Sequence, residues 1–160
     1  MASRKHESPK GDTLDGSPAM TFTSDFTVRF GEVDRAQVLY YPRFFHLFHQ
    51  TFEEWFGGAL GVPYPEVVDN ENLGFPTVKV ETEFLKPLRY GDRVRIVLEL
   101  VAIGEGSLTL SYTAIRLTDG EIAARATVKK ATIENDTFRP VTIDDVWRER
   151  YERFKRGDQR

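Results

Sequence analysis

Residues 42–56 constrain this chain more than any other stretch. On a wheel of roughly 100° per residue, Phe44, Leu47, Phe48, Thr51, Phe52 and Trp55 share one side, with Phe45 and Phe56 at its edge. Pro42 suits a first helical turn, because the N–H it lacks would be unpaired there anyway. Gly57-Gly58 is expected to end the helix. A helix this aromatic on one side has to lie against a sheet.

The period is two on either side of that helix. Residues 21–30 carry Phe22, Phe26, Val28 and Phe30 at even spacing and predict a first strand. Four more strands are predicted: 75–85 through Val78, Val80, Thr82 and Phe84; 93–103 through Val94, Ile96, Leu98 and Leu100; 107–117 through Leu108, Leu110, Tyr112 and Ala114; and 122–134. The joints at residues 89–92, 104–106 and 118–120 are short and glycine-bearing, so neighbours are antiparallel. One helical turn is expected within residues 63–69. Thr142 and Asp145 look like a capping box opening a terminal helix over residues 143–156, with Trp147, Tyr151 and Phe154 at helical spacing and Gly157 as its stop. The predicted class is α+β: an antiparallel sheet of about five strands with one long helix packed on it, plus a C-terminal helix. Residues 1–21, rich in Gly, Pro, Ser and charge, are expected to be a disordered tail, leaving residues 22–160 as a single domain.

Composition narrows the function. A net charge of −3 gives no reason to expect nucleic acid or an anionic membrane as partner, so an anionic ligand needs a local basic patch. The absence of cysteine removes disulfides, thiolate metal sites and thiol nucleophiles together. No apolar run is long enough to span a bilayer, and the first twenty residues lack the apolar centre of a signal peptide, so a cytoplasmic protein is expected.

Asp34 is the leading candidate for chemistry. It sits on a loop just ahead of the long helix, where unpaired N–H groups and the helix dipole collect positive potential. The plain alternative is a turn aspartate bonded to nearby backbone. A carboxylate facing donors that polarise a carbonyl suits acyl transfer. At an ordinary pKa of about 3.9 it would be ionised, serving as a nucleophile, or as a base if burial raised its pKa. His46, His49 and Glu53 have spacing a metal could use, but they fall opposite the aromatic side. They read as surface residues with a His49–Glu53 contact, and no metal or other cofactor is expected. Arg89, Arg125, Lys129 and Lys130 are the compact basic residues of the sheet, read either as solvated faces or as phosphate ligands. No nucleophile elbow, phosphate loop, dinucleotide fingerprint or zinc-protease motif occurs.

Three blocks carry a resemblance: residues 28–42 (VRFGEVDRAQVLYYP), 74–80 (GFPTVKV) and 84–92 (FLKPLRYGD). With them the chain resembles the 4-hydroxybenzoyl-CoA thioesterase family of the hot-dog superfamily. The resemblance implies homodimers, often homotetramers, with active sites between protomers, hydrolysing an acyl-CoA thioester without metal or cofactor. It makes Asp34 the catalytic carboxylate and the Tyr41 backbone N–H the donor to the thioester oxygen. Phe44, Phe45, Gly74 and Thr77 are expected to bind the acyl group, and Arg89, Arg125, Lys129 and Lys130 the coenzyme. Two departures stand out: many members have Ala-Gly in the loop where this chain has Ala36-Gln37, and relatives acting on short aliphatic acyl groups often have His where this chain has Pro42. The latter points to an aromatic acyl group such as 4-hydroxybenzoyl or benzoyl. Rival readings are a thioesterase for aliphatic acyl-CoA or acyl-carrier protein, and a non-catalytic acyl-CoA-binding protein of the same fold.

Overall fold

The structure is a computed structural model that describes residues 20–157; the expected tail lies, up to residue 19, outside the described residues. In chain order the strands are β1 (Thr21–Thr27), β2 (Leu73–Gly74), β3 (Thr77–Phe84), β4 (Arg93–Ile103), β5 (Ser107–Arg116), β6 (Ile122–Ala131), β7 (Ile133–Glu134) and β8 (Arg139–Pro140). The helices are α1 (Pro42–Trp55), α2 (Tyr64–Asp69) and α3 (Asp145–Arg156). Five strands form one antiparallel sheet in the order β1-β4-β5-β6-β3, and β2, β7 and β8 form a small second one. The predicted α+β architecture is the one observed.

The long helix lies on the sheet as its pattern requires. Phe44, Leu47, Phe48, Thr51, Phe52 and Trp55 are all buried, and they meet the inward residues Val94, Ile96, Leu98, Leu108, Leu110 and Tyr112 in one core. Each large apolar side chain removed from water contributes about 1.5–3 kcal/mol before the cost of ordering it. Phe48 stacks on Tyr112 with centroids 5.0 Å apart, tying α1 to the middle of the sheet. The far end of α1 joins a second aromatic group in which Trp55 stacks on Tyr151 of α3 at 5.8 Å and Trp147 Nε1 donates to Glu71 at 2.5 Å.

Several boundaries differ from expectation. Gly57-Gly58 does not end α1: the helix widens into a π turn over Phe56–Leu60 and stops at Gly61, which has φ 82. A Cβ on Gly58 would come within 2.7 Å of the Phe22 ring, so glycine there lets β1 press against the turn. The first strand ends at Thr27, short of the expected residue 30, and a 3₁₀ turn over Phe30–Glu32 leaves Phe30 79 % exposed. The terminal helix is capped by Asp144, whose Oδ1 accepts from Trp147 N–H at 2.8 Å, and not by Thr142. The predicted last strand breaks at Thr132, whose N–H donates to Gly106 O instead of continuing the ladder.

The edge strand β3 sets the geometry of the site. Thr77 pairs with Lys130, but the next pair is Lys79 with Lys129, so Val78 is an extra residue in a β-bulge. Paired residues share a face, so Thr77, Val80, Thr82 and Phe84 point toward α1 while Lys79 and Glu81 point away. Val78, which the alternation placed beside Val80, is 57 % exposed.

Candidate active site

Residues 33–39 form a tight hairpin ahead of α1. Val33 bridges Leu39, Asp34 N–H donates to Val38 O at 2.9 Å, and Gln37 N–H donates to Asp34 O at 2.9 Å. Gln37 takes φ 63, the left-handed conformation that glycine adopts without strain. The Ala36-Gln37 departure therefore costs backbone energy at the turn. Asp34 is exposed on the single chain, and its Oδ1 accepts from Ala36 N–H at 2.8 Å. It borders an open groove with Phe30, Gln37, Tyr40 and Arg43. Tyr40 N–H donates to Glu32 O at 3.0 Å, which folds the aspartate arm back toward the start of the helix.

That start offers fewer free donors than a generic helix. Pro42 has no N–H, Arg43 N–H donates to Tyr40 O at 2.8 Å, and Phe44 N–H donates to Tyr41 O at 3.2 Å. Among the described residues nothing accepts from Tyr41 N–H, so it is the backbone donor at this end that a ligand oxygen can take. The expected group of donors reduces to one amide. The Tyr41 ring packs edge-on against Phe84 of β3 at 5.9 Å, as Phe45 does at 6.3 Å, linking the helix start to the sheet edge.

Between α1 and the β3 side of the sheet lies a cavity of about 240 Å³. Its walls are Phe45, Phe48, Val80, Tyr112 and Val128, with His49, Thr77 and Lys130 as its polar members. Phe45 and Thr77, two of the residues expected to bind the acyl group, both line this cavity. Phe44 and Gly74 do not line it: Phe44 is buried between Phe48 and Phe84, and Gly74 is buried in β2, where a Cβ would come within 3.0 Å of Ile133 and Asn135. Close packing of the small sheet accounts for that glycine.

The four basic residues expected to hold the coenzyme occupy three separate places. Arg89 sits beside the aspartate hairpin, bridged to Val38. Arg125 and Lys129 are exposed on the outer face of β6. Lys130 is only 4 % exposed and points inward, which corrects its expected place on the basic surface. Its Nζ donates to Phe75 O at 3.3 Å and to Thr77 Oγ1 at 3.1 Å, and lies 4.6 Å from the centroid of the Phe52 ring. Burial brings the Lys130 amine down to about 8, with the Glu53 carboxylate opposing. Period two alone could have found this, since Ala124, Ala126, Val128 and Lys130 share the inward face of β6.

His49 makes the expected pair with Glu53, at 3.3 Å. It was expected on the side away from the aromatic face, yet its ring stacks on Phe52 at 6.1 Å and reaches the cavity rim. Burial lowers its pKa, and the nearby Lys130 charge lowers it further against the Glu53 carboxylate. Tyr112, buried under Phe48, is the other polar group that the sequence reading left unassigned. Its strand position reads as core, and only the shape of the cavity reveals it.

Residues 28–151 match the thioesterase-like superfamily, and the chain belongs to it. It is a thioester hydrolase of the hot-dog fold. A 1,4-dihydroxy-2-naphthoyl-CoA hydrolase from Prochlorococcus marinus strain NATL2A is 33 % identical over 113 residues, 67 % of this chain and 72 % of that one. A hydrolase of the same name from Synechococcus sp. strain CC9311 is 29 % identical over 131 residues, covering 76 % and 85 %. In three dimensions, a 1,4-dihydroxy-2-naphthoyl-CoA thioesterase from Synechocystis superposes with a TM-score of 0.73 at 20 % identity, over 82 % of this chain and 95 % of that one.

Proposed function

We propose that this protein hydrolyses an aromatic acyl-CoA to the free acid and coenzyme A, working as a homo-oligomer. The observation that carries the reading is the uncommitted Tyr41 N–H at the start of a helix that Asp34 immediately precedes. A thioester oxygen accepting from Tyr41 N–H would have its carbonyl carbon polarised for attack. Asp34 would add to that carbon as a nucleophile or deprotonate the water that does. In the first case an acyl–aspartyl anhydride forms, the thiolate of coenzyme A departs, and water cleaves the anhydride. Losing one such donor typically costs about 10²–10³ in rate.

Support for an aromatic acyl group comes from the walls of the cavity and from relatives whose substrate is a dihydroxynaphthoyl thioester. A second copy of the chain fits the free edge of β3, where Val78, Val80, Phe84 and Leu85 are exposed together. It would also cover the open Asp34 groove. Arg89, beside the hairpin, is the basic residue best placed for the coenzyme's phosphates.

The test is steady-state thiol release from benzoyl-, hydroxybenzoyl-, dihydroxynaphthoyl- and medium-chain aliphatic acyl-CoA. Aroyl thioesters should lead by kcat/KM. A preference for aliphatic chains, or tight acyl-CoA binding with no thiol released, would overturn the proposal.

A further inference from the structure

Lys130 is a buried nucleophile that the proposed hydrolysis leaves unused. It is 4 % exposed, and among the described residues no carboxylate lies in ion-pair contact with its Nζ. The Glu53 carboxylate, which favours the charged amine, is engaged by His49 at 3.3 Å. The surroundings of Nζ match a neutral amine, which has two N–H donors and one lone pair. Two acceptors are in place, Phe75 O at 3.3 Å and Thr77 Oγ1 at 3.1 Å. An ammonium has a third N–H, and the remaining neighbour is the face of the Phe52 ring, 4.6 Å from Nζ, a weaker partner. Burial accordingly brings the amine down to about 8 against the pull of Glu53. About half of such a group is neutral at pH 8, against about 0.4 % of an ordinary lysine. Desolvated lysines of this kind add to carbonyl carbons and form Schiff bases.

The cavity decides which carbonyl compound reaches it. Lys130 lines it together with Phe45, Phe48, Val80 and Val128. Phe45 and Val80 are also exposed, so the cavity opens between α1 and β3. An apolar cavity of about 150 Å³ takes one benzene ring, and this one measures about 240 Å³, room for one ring and its carbonyl. A thioester whose oxygen accepts from Tyr41 N–H keeps its carbonyl outside, because Tyr41 does not line the cavity. The reacting carbonyl therefore belongs to a small free molecule.

We infer that Lys130 is a covalent site for small aromatic aldehydes, which it takes as a Schiff base within this cavity. The amine lone pair adds to the aldehyde carbon, and a proton passes from nitrogen to oxygen to give a carbinolamine. The nitrogen electron pair then expels the hydroxyl group, which departs as water with the remaining N–H proton. One C=O and two N–H bonds become one C=N bond and a water molecule, with no oxidant or reductant consumed. Thr77 Oγ1, already 3.1 Å from Nζ, can donate its own hydrogen to the imine nitrogen. The apolar walls exclude the water that would hydrolyse the adduct. The bound ring fills the cavity and leaves it when the imine reverses.

The experiment incubates the full chain with benzaldehyde at pH 8, fixes any imine as a benzylamine with cyanoborohydride, and locates the label by peptide mass spectrometry. Lys130 should be labelled about 10-fold or more faster than the exposed Lys79, Lys86, Lys129 and Lys155, its larger neutral fraction being offset in part by its lower basicity. Benzyl alcohol has the same size and no carbonyl. It should slow labelling at Lys130 and leave the exposed lysines unaffected, a measurement that needs no variant. K130M should lose the Lys130 label and keep the others. Even labelling across the lysines, an unlabelled Lys130, or labelling there that benzyl alcohol does not slow would each overturn the inference. None of these results bears on the hydrolase reading, which is tested by thiol release.

Discussion

Asp34 Oδ1 accepts from Ala36 N–H at 2.8 Å, so the proposed catalytic carboxylate also closes its own turn. Function and local folding share one side chain, and the choice of substitution separates them. Asp34→Asn keeps an oxygen acceptor for Ala36 and removes the charge. Its melting temperature should stay within about 1–2 °C of the wild type, while kcat falls about 10³-fold or more. Asp34→Ala should lose the hydrogen bond as well, at about 1 kcal/mol. Full turnover by Asp34→Asn would remove the residue from the mechanism.

Gln37 occupies φ 63 at the tip of the same hairpin. An L-residue there costs about 1–2 kcal/mol, against roughly 0.5–1 kcal/mol for the extra freedom glycine gives the unfolded chain. Gln37→Gly should therefore stabilise the protein by about 0.5 kcal/mol, read as a rise of about 1–2 °C in melting temperature. A lower melting temperature would show that the Gln37 side chain makes a compensating contact in the assembled protein.

Capping of α3 gives a sharper contrast. Asp144→Ala removes the acceptor of Trp147 N–H and should cost about 1 kcal/mol. Thr142→Ala should stay within about 0.5 kcal/mol of wild type. Chemical denaturation of the two variants checks this, and the reverse ranking would restore Thr142 as the cap.

Stability should also depend on pH through Lys130. Its folded pKa, about 8, lies below the ordinary 10.5, so between those values the unfolded chain binds the extra proton. Stability therefore rises with pH across that window, by about 3 kcal/mol at most and less where water reaches the cavity. Tyr64, raised to about 12 by burial, acts in the opposite sense above about 10. The clean interval is pH 8 to about 10. Urea midpoints should climb there in the wild type and stay flat in Lys130→Met; parallel curves would contradict the inward amine.

Self-association at the β3 edge predicts that Val78→Asp weakens the oligomer by about 10-fold or more in dissociation constant, seen by sedimentation equilibrium. A wild type that sediments as a monomer at tens of micromolar would remove the interface.

Much of this architecture was legible in the chain because two periods carry it. The aromatic face of α1 and the alternation of β4, β5 and β6 each needed only one rule. What escaped depended on single residues that break a period. Gly58 reads as a stop until Phe22 is seen resting on it, and Val78 reads as a core position until the pairing of β3 with β6 shows the bulge. In the site, Asp34 and Tyr41 were visible as a loop and a helix start. The single free amide was not, because it emerges from three neighbours being silenced: Pro42 by its chemistry, Arg43 and Phe44 by bonds to Tyr40 and Tyr41. Lys129 and Lys130 looked like one basic patch because adjacency in the chain hides opposite directions in a strand.

The bulge at Val78 gives the cavity an adjustable depth stop. Straightening the strand with Val78 kept would slide everything before it by one rung, putting Val78 opposite Lys130, turning Thr77 outward and leaving the Lys130 amine short of a partner, while the strand beyond Lys79 kept its place. A lineage could thus reshape the cavity wall by absorbing or restoring the bulge, leaving the aspartate hairpin and the helix start untouched.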